Sequence, residues 1–256
     1  HREDETTWEV LVGGKRVTAG KTLHLEDGLT VQVIAQLDGS RRRVRFSEPV
    51  EAYLERKGQM PLPPYIHVPL KDSQRYQTVY ALTPGSAAAP TAGLHFTPEL
   101  MERLRSQGIQ FASVTLHVGL DTFAPVTEEN PMWHPIHTEW CQVTPETAEQ
   151  INAVRRQGGR IIAVGTTTVR TLETAAQATP PGMAVLPYSG ATNLYILPGY
   201  FFKAVDAMIT NFHLPRSTLL MLVSAFTGRE RLMQVYQQAI SSRYRFYSFG
   251  DAMLIL

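Results

Sequence analysis

The stretch Val205–Gly228, VDAMITNFHLPRSTLLMLVSAFTG, constrains the fold more than any other part of the chain. An apolar, strand-like segment runs into the polar turn Thr210-Asn211-Phe212-His213. A proline follows, and then a strongly hydrophobic helix begins. A strand that feeds a helix through a short turn belongs to an α/β sheet. Neither Asn211 nor His213 serves a bare fold at such a junction. A site on the rim of that sheet does use them, because strand ends hold side chains rigidly over a crevice.

The same rhythm extends upstream. Thr97-Pro98-Glu99 and Thr144-Pro145-Glu146 each open a helix with an N-cap, a proline in the first position and an acidic first turn. Gly108 and the pair Gly158-Gly159 stop these helices. IQFASVTLHVG (109–119) and RIIAVG (160–165) follow as strands. The last third adds LYIL, VDAMIT, a helix near Arg216–Phe226, another from Arg229 to about Ile240, and a terminal strand near Arg243–Phe249. Residues 8 to about 50 read differently: WEVLV, LTVQVIAQL and RRRVRF are short Val-rich runs separated by Gly and Asp-Gly turns. The Pro-rich stretch Met60–Tyr65 breaks the pattern. The expectation is an α/β fold, with a larger α/β sheet domain over 59–256 and a smaller antiparallel β-barrel domain over 1–58. Parallel strands are expected in the larger one.

Composition narrows the function classes. The 256 residues are 43% hydrophobic and 18% charged, an ordinary globular balance. No apolar run reaches the roughly 20 residues needed to cross a bilayer. One cysteine, Cys141, excludes an internal disulfide framework and a cysteine-built zinc site, which fits a reducing, cytoplasmic setting. A net charge of +1 argues against a protein that coats nucleic acid through bulk charge. Yet 19 Arg stand against 5 Lys, and a guanidinium grips phosphate with a planar fork. Arg41, Arg42 and Arg43 are candidate RNA contacts on this ground, although such a run also suits a solvated strand edge.

Several words carry chemistry. Gly165-Thr166-Thr167-Thr168-Val169-Arg170-Thr171-Leu172-Glu173 follows directly on the strand IIAV. A glycine there lets a ligand approach the backbone, and the amides opening the next helix favour a carboxylate or a phosphate. The word also fits an ordinary threonine-capped helix. It has neither Walker nor G-x-G-x-x-G spacing, so nicotinamide chemistry and Rossmann-type methyl transfer are poorly supported. His95, His117 and His213 all lie at strand ends or helix entries, where they can move protons near neutral pH. His134, His137 and Glu139 suggest a metal site, but Pro135 between the histidines spoils a regular helical presentation. In Tyr244–Asp251 the aromatics can stack on a base or pack in a core, with Tyr244 and Arg245 facing a ligand and Asp251 beyond a Gly placed for function.

Together these words resemble one family. PTAGLHF (90–96), VTLHVGLDTFAPV (114–126), HTEW (137–140), IAVGTTTVRTLE (162–173), LPGYFFKAVDAMITNFHLPRSTLLMLVSAF (197–226) and YRFYSFGDAM (244–253) are similar to S-adenosylmethionine:tRNA ribosyltransferase-isomerases of queuosine biosynthesis. MPLPPYI (60–66) and RYQTVYA (75–81) extend the likeness over nearly the whole chain. Asp121 departs from it, standing where the family pattern VGLGTF has Gly. The resemblance implies that members carry a further N-terminal segment, and that this chain begins inside the smaller β-barrel domain.

The implied reaction moves the ribosyl group of S-adenosylmethionine to the aminomethyl group of a 7-deazaguanine at the tRNA wobble position, with isomerisation to epoxyqueuosine and release of adenine and methionine. S-adenosylmethionine is then a consumed substrate, with no resident cofactor and no metal. The partners are the tRNA anticodon stem-loop and S-adenosylmethionine; no membrane is involved, and a monomer is expected. Such chemistry needs a base at the ribose methylene beside the sulfonium, a donor for departing adenine and a dry pocket of dipoles. Position and chemistry nominate His95, His117 and His213 for proton transfer, with Asp206 or Asp251 orienting them. Thr166, Thr167 and Arg170 are assigned to the methionyl end, Arg170 pairing with its carboxylate, and Gly165 and Glu173 of the same word are further substrate-binding candidates. Asn211 would read a base edge or ribose hydroxyl, and Tyr244 and Arg245 would contact the base or backbone. Two other classes fit fewer of these features: a metal-dependent hydrolase using His134, His137 and Glu139, and a non-catalytic tRNA-binding module.

Overall fold

Helices begin where the sequence supplies caps. A computed structural model describes residues 2–14, 16–59, 61–63, 65–119, 128–136 and 138–256. Asp121 and His137 lie outside the described residues. Two compact units are present, His1–Met60 and Pro61–Leu256.

In the first unit, β1 (Thr7–Leu11), β2 (Thr22–His24), β3 (Thr30–Gln36) and β4 (Arg41–Phe46) form an antiparallel sheet in the order β1-β4-β3-β2. Alternation buries Val31, Val33 and Val44 under Trp8, Val10 and Leu23. Helix α1 (Glu51–Lys57) closes the unit, with Lys57 and Arg56 reaching Glu26 and Asp27. Among the described residues β1 and β2 remain the two edges, so the expected barrel is not closed here. Arg41 and Arg43 pair with Glu9 and Glu3, while Arg42 is buried and donates to the carbonyls of Val17, Gly39 and Arg41. The arginine run thus holds its own sheet.

The second unit has two three-stranded sheets where the sequence suggested one. Its elements in order are α2 (Pro98–Ser106), β5 (Thr115–His117), β6 (Glu139–Val143), α3 (Pro145–Arg156), β7 (Ile162–Val164), α4 (Thr166–Ala175), β8 (Tyr188–Thr192), β9 (Ala207–Asn211), α5 (Thr218–Thr227), α6 (Arg229–Ser241) and β10 (Ala252–Ile255). One sheet, β5-β6-β8, is wholly antiparallel. The other, β10-β9-β7, contains the parallel pair, β7 with β9, and an antiparallel β10. Thr97 and Thr144 cap α2 and α3, accepting from the N–H groups of Leu100 and Thr147 at 3.2 Å each. Helix α4 touches strands of both sheets and buries Val169, Leu172 and Ala175 in the main core with Met208, Val223 and Leu232.

Three expected strands differ. Only Thr115–His117 of 109–119 is paired, and LYIL is irregular because the Leu194 carbonyl serves the Arg170 side chain instead of a ladder. The segment Arg243–Phe249 coils: Arg243 and Tyr247 have φ of 59° and 71°, which no strand tolerates. Its aromatics still pack inward, Phe246 on Phe212 with centroids 4.8 Å apart. No helix among the described residues is long and apolar enough to cross a membrane.

Candidate active site

The parallel pair brings two strand ends to one rim. Val164 is paired with Ile209, and beyond it the Gly165 N–H donates to the Ile209 carbonyl at 2.8 Å. Gly165 then turns with φ of 92°, a conformation that suits glycine, and α4 begins. On the neighbouring strand, β9 ends at Asn211 opposite Ala252, the first residue of β10. The carboxyl ends of β7 and β9 and the start of β10 therefore meet, carrying Gly165, Asn211 and Asp251 to the same edge. In α/β sheets that edge is where ligands bind.

A short 3-10 turn, Thr91–His95, covers this rim. The Thr91 hydroxyl donates to Asn211 Oδ1 at 2.9 Å, across 120 residues of sequence. Asn211 is 3% exposed, and its Nδ2 has no partner among the described residues. A Cβ on Gly165 would meet Ala92 at 4.0 Å, which places the turn beside the head of α4 as well. Gly93 is required by packing: a Cβ there would lie 2.0 Å from the Tyr80 hydroxyl. Thr91, Tyr80 and Tyr236 were not singled out by the sequence; Thr91 stands in the PTAGLHF word and Tyr80 in RYQTVYA, while Tyr236 gives no signal of its own.

His213 follows Asn211 by two residues. Its Nε2 lies 2.8 Å from the Thr210 hydroxyl, and its backbone N–H donates to the Tyr236 hydroxyl at 2.7 Å. Although part of its surface is open, the ring is densely surrounded by protein, and this burial lowers its pKa from 6.5 to about 4. His213 is neutral at pH 7. Burial likewise pushes the Tyr236 phenol up to about 12.

Outside this layer, Asp251 accepts from the Arg245 backbone N–H at 2.7 Å and from its guanidinium at 3.0 Å. Those hydrogen bonds, with a smaller electrostatic contribution from His95, hold the Asp251 carboxyl below its usual range. His95, Tyr244 and Arg245 are exposed, and Tyr244 meets Phe212 edge-on at 6.0 Å. The outer layer is thus an exposed His, Arg and Tyr around one ionised carboxylate.

Other predicted residues stand elsewhere. Asp206 precedes β9, at the sheet end opposite Asn211, where it accepts from Arg155 and from the Ile161 N–H at 2.7 Å each. It cannot orient His213. Glu173 is 0% exposed, and its carboxylate accepts from the N–H groups of Lys203, Ala204 and Val205 and from the Tyr200 hydroxyl. It organises a loop rather than meeting a substrate. Arg170 is buried and paired with Glu139, its Nε donating to the Leu194 carbonyl. Its assigned partner, a substrate carboxylate, is replaced by one from the protein. His117 belongs to the other sheet, stacked on Trp140 at 5.1 Å. His134 Nδ1 lies 2.7 Å from Glu128, while Glu139 pairs with Arg170, so His134 and Glu139 serve separate partners. Burial raises the Cys141 thiol to about 11 and keeps it unreactive.

These features define a mixed α/β protein with a candidate ligand site at the converging ends of a parallel strand pair. The chain belongs to the queuosine biosynthesis protein family, whose model matches residues 1–255. A protein of Symbiobacterium thermophilum named S-adenosylmethionine:tRNA ribosyltransferase-isomerase is 56% identical over 259 residues, covering 100% of this chain and 75% of the relative. One of Moorella thermoacetica with the same name is also 56% identical, over 260 residues and the same shares. The crystal structure of an S-adenosylmethionine tRNA ribosyltransferase from Thermotoga maritima aligns with a TM-score of 0.53 at 39% identity, covering 100% of this chain and 72% of that one.

Proposed function

We infer that the chain is an enzyme that transfers and isomerises the ribosyl moiety of S-adenosylmethionine onto 7-aminomethyl-7-deazaguanine at the tRNA wobble position. The products are epoxyqueuosine-tRNA, adenine and methionine. The observation that carries this reading is the 56% identity along the full chain to relatives bearing that name, with the site words included. S-adenosylmethionine is spent as a substrate, so the reaction itself calls for no resident cofactor.

The rim supports a division of labour. His213, neutral at pH 7, offers a ring nitrogen that can accept a proton or a hydrogen bond without first losing one. A pKa near 4 makes it a weak base, which suits a hydrogen-bonding and shielding role beside the reacting ribose better than bulk proton storage. His95, next to the ionised Asp251, is the more accessible proton carrier. Arg245 and Tyr244 are exposed at the same edge and suit an RNA backbone and a splayed base, as an anticodon stem-loop presents them. A monomer acting on the anticodon stem-loop is the reading adopted, and a tRNA substrate favours the cytoplasm.

The test is release of adenine from S-adenosylmethionine with tRNA carrying the aminomethyl base, beside unmodified tRNA. Release dependent on the modified base is expected. No release with either tRNA, or equal release with both, refutes the reading.

A further inference from the structure

Among the described residues no side chain caps the head of α4. The first N–H groups of a helix have no intrahelical acceptor, and the macrodipole makes that end electropositive. On α2 and α3 the threonine caps and the following Glu99 and Glu146 answer this demand. Helix α4 has no side-chain cap and no acidic residue in its first turn. Its N-cap is Gly165, which adds no side chain over the amides.

Asn211 supplies the independent observation. Its Oδ1 is committed to Thr91, which leaves Nδ2 as the arm without a partner among the described residues, in a residue 3% exposed. Buried amide N–H groups are rarely left unpaired without a reason. Thr91 touches Asn211 and the adjoining Ala92 approaches Gly165, so the amide and the helix head border one short turn. Arg170 is held through Nη1 by Glu139 and through Nε by the Leu194 carbonyl, while its Nη2 has no partner among the described residues.

We propose that Asn211 Nδ2 and the backbone N–H groups at the head of α4 together bind an anionic oxygen group, the carboxylate at the methionyl end of S-adenosylmethionine. This rests on the ribosyl-transfer reading. A tRNA phosphate would satisfy the same donors, so the test separates the two sources.

Binding of S-adenosylmethionine, its decarboxylated analogue and modified tRNA is measured by calorimetry on the wild type, Asn211→Ala and Asn211→Asp. A hydrogen bond to a charged group sets the expected loss at about tenfold to hundredfold in affinity for S-adenosylmethionine in Asn211→Ala. The decarboxylated analogue and the tRNA are expected to bind as before. Asn211→Asp keeps the side-chain shape, so it tests the site even where the alanine variant misfolds. It should weaken S-adenosylmethionine further, by charge repulsion, without weakening the analogue. Equal losses for both small molecules, a loss confined to tRNA, or no loss at all each overturn the proposal while leaving wild-type adenine release intact. A wild type that binds neither small molecule and releases no adenine would instead remove the functional reading, and the proposal with it.

Discussion

Glu173→Gln separates a structural carboxylate from a substrate-binding one. In the native fold, Glu173 Oε1 accepts from the N–H groups of Ala204 at 3.0 Å and Val205 at 3.1 Å. Oε2 accepts from Lys203 N–H at 3.0 Å and the Tyr200 hydroxyl at 3.1 Å. Burial and this carboxylate together raise the pKa of the Tyr200 phenol, which keeps it a donor. A glutamine retains one oxygen, enough for Ala204 and Val205. Its NH2 then faces the Lys203 N–H, which keeps only its longer 3.2 Å bond to the remaining oxygen, and Tyr200 loses a charged acceptor. A bond to a charged group stabilises by about 1.5–3 kcal/mol and a neutral one by about 0.5–1.5, so the two affected bonds give a loss of about 2–3 kcal/mol. For a unit of this size each kcal/mol moves Tm by about 2–4 °C, so a drop of about 4–12 °C is expected by differential scanning calorimetry. KM for S-adenosylmethionine in the adenine-release assay should not change at a temperature where the variant is folded. Native-like Tm with a raised KM would refute the reasoning, because it would place Glu173 on the substrate.

Two further outcomes follow from the site's surroundings. Unfolded His213 takes up a proton near pH 6.5 and folded His213 only near 4, so its contribution to stability is complete above 6.5 and is lost as the pH falls towards 4. The full shift corresponds to about 3 kcal/mol, and partial solvent access reduces this to about 2; urea midpoints at pH 7 and 4.5 should converge between wild type and His213→Gln on the acid side, and a constant offset contradicts the burial argument. Gly93→Ala should lower stability by about 1–3 kcal/mol through the clash with Tyr80, with partial recovery in Gly93→Ala/Tyr80→Phe, and purely additive melting shifts would count against that contact.

Much of this architecture was legible because local chemistry and tertiary structure agree. The Thr-Pro-Glu words mark α2 and α3 because the threonine caps need only their own first turn. Gly165 and Asn211 were legible as strand-end residues, and both do stand at the ends of β7 and β9. Asp206 misled because a residue before a strand and one after it occupy opposite ends, although both adjoin the same apolar run. Glu173 and Arg170 misled for another reason. Their partners, the 203–205 backbone and Glu139, are remote in sequence, and no local pattern announces them. The alternating aromatics of Arg243–Phe249 imitate a strand, while positive φ at Arg243 and Tyr247 makes the segment a coil whose rings still pack. The orphaned amide of Asn211 depends on which of its atoms Thr91 engages, which is purely a property of the folded state.

The meeting of β7, β9 and β10 at one rim also bears on how the protein is made. Thr91 and Gly165 leave the ribosome long before Asn211, and Asp251 follows later still. The nascent chain can therefore build α2, α3 and the β5-β6-β8 sheet while β7 still lacks its parallel neighbour. Such non-local pairing is the slow part of folding, and the unpaired edge of β7 is exposed to wrong partners in the interval. Among the described elements the rim should thus be completed late and abruptly, when the strand Ala252–Ile255 closes against β9.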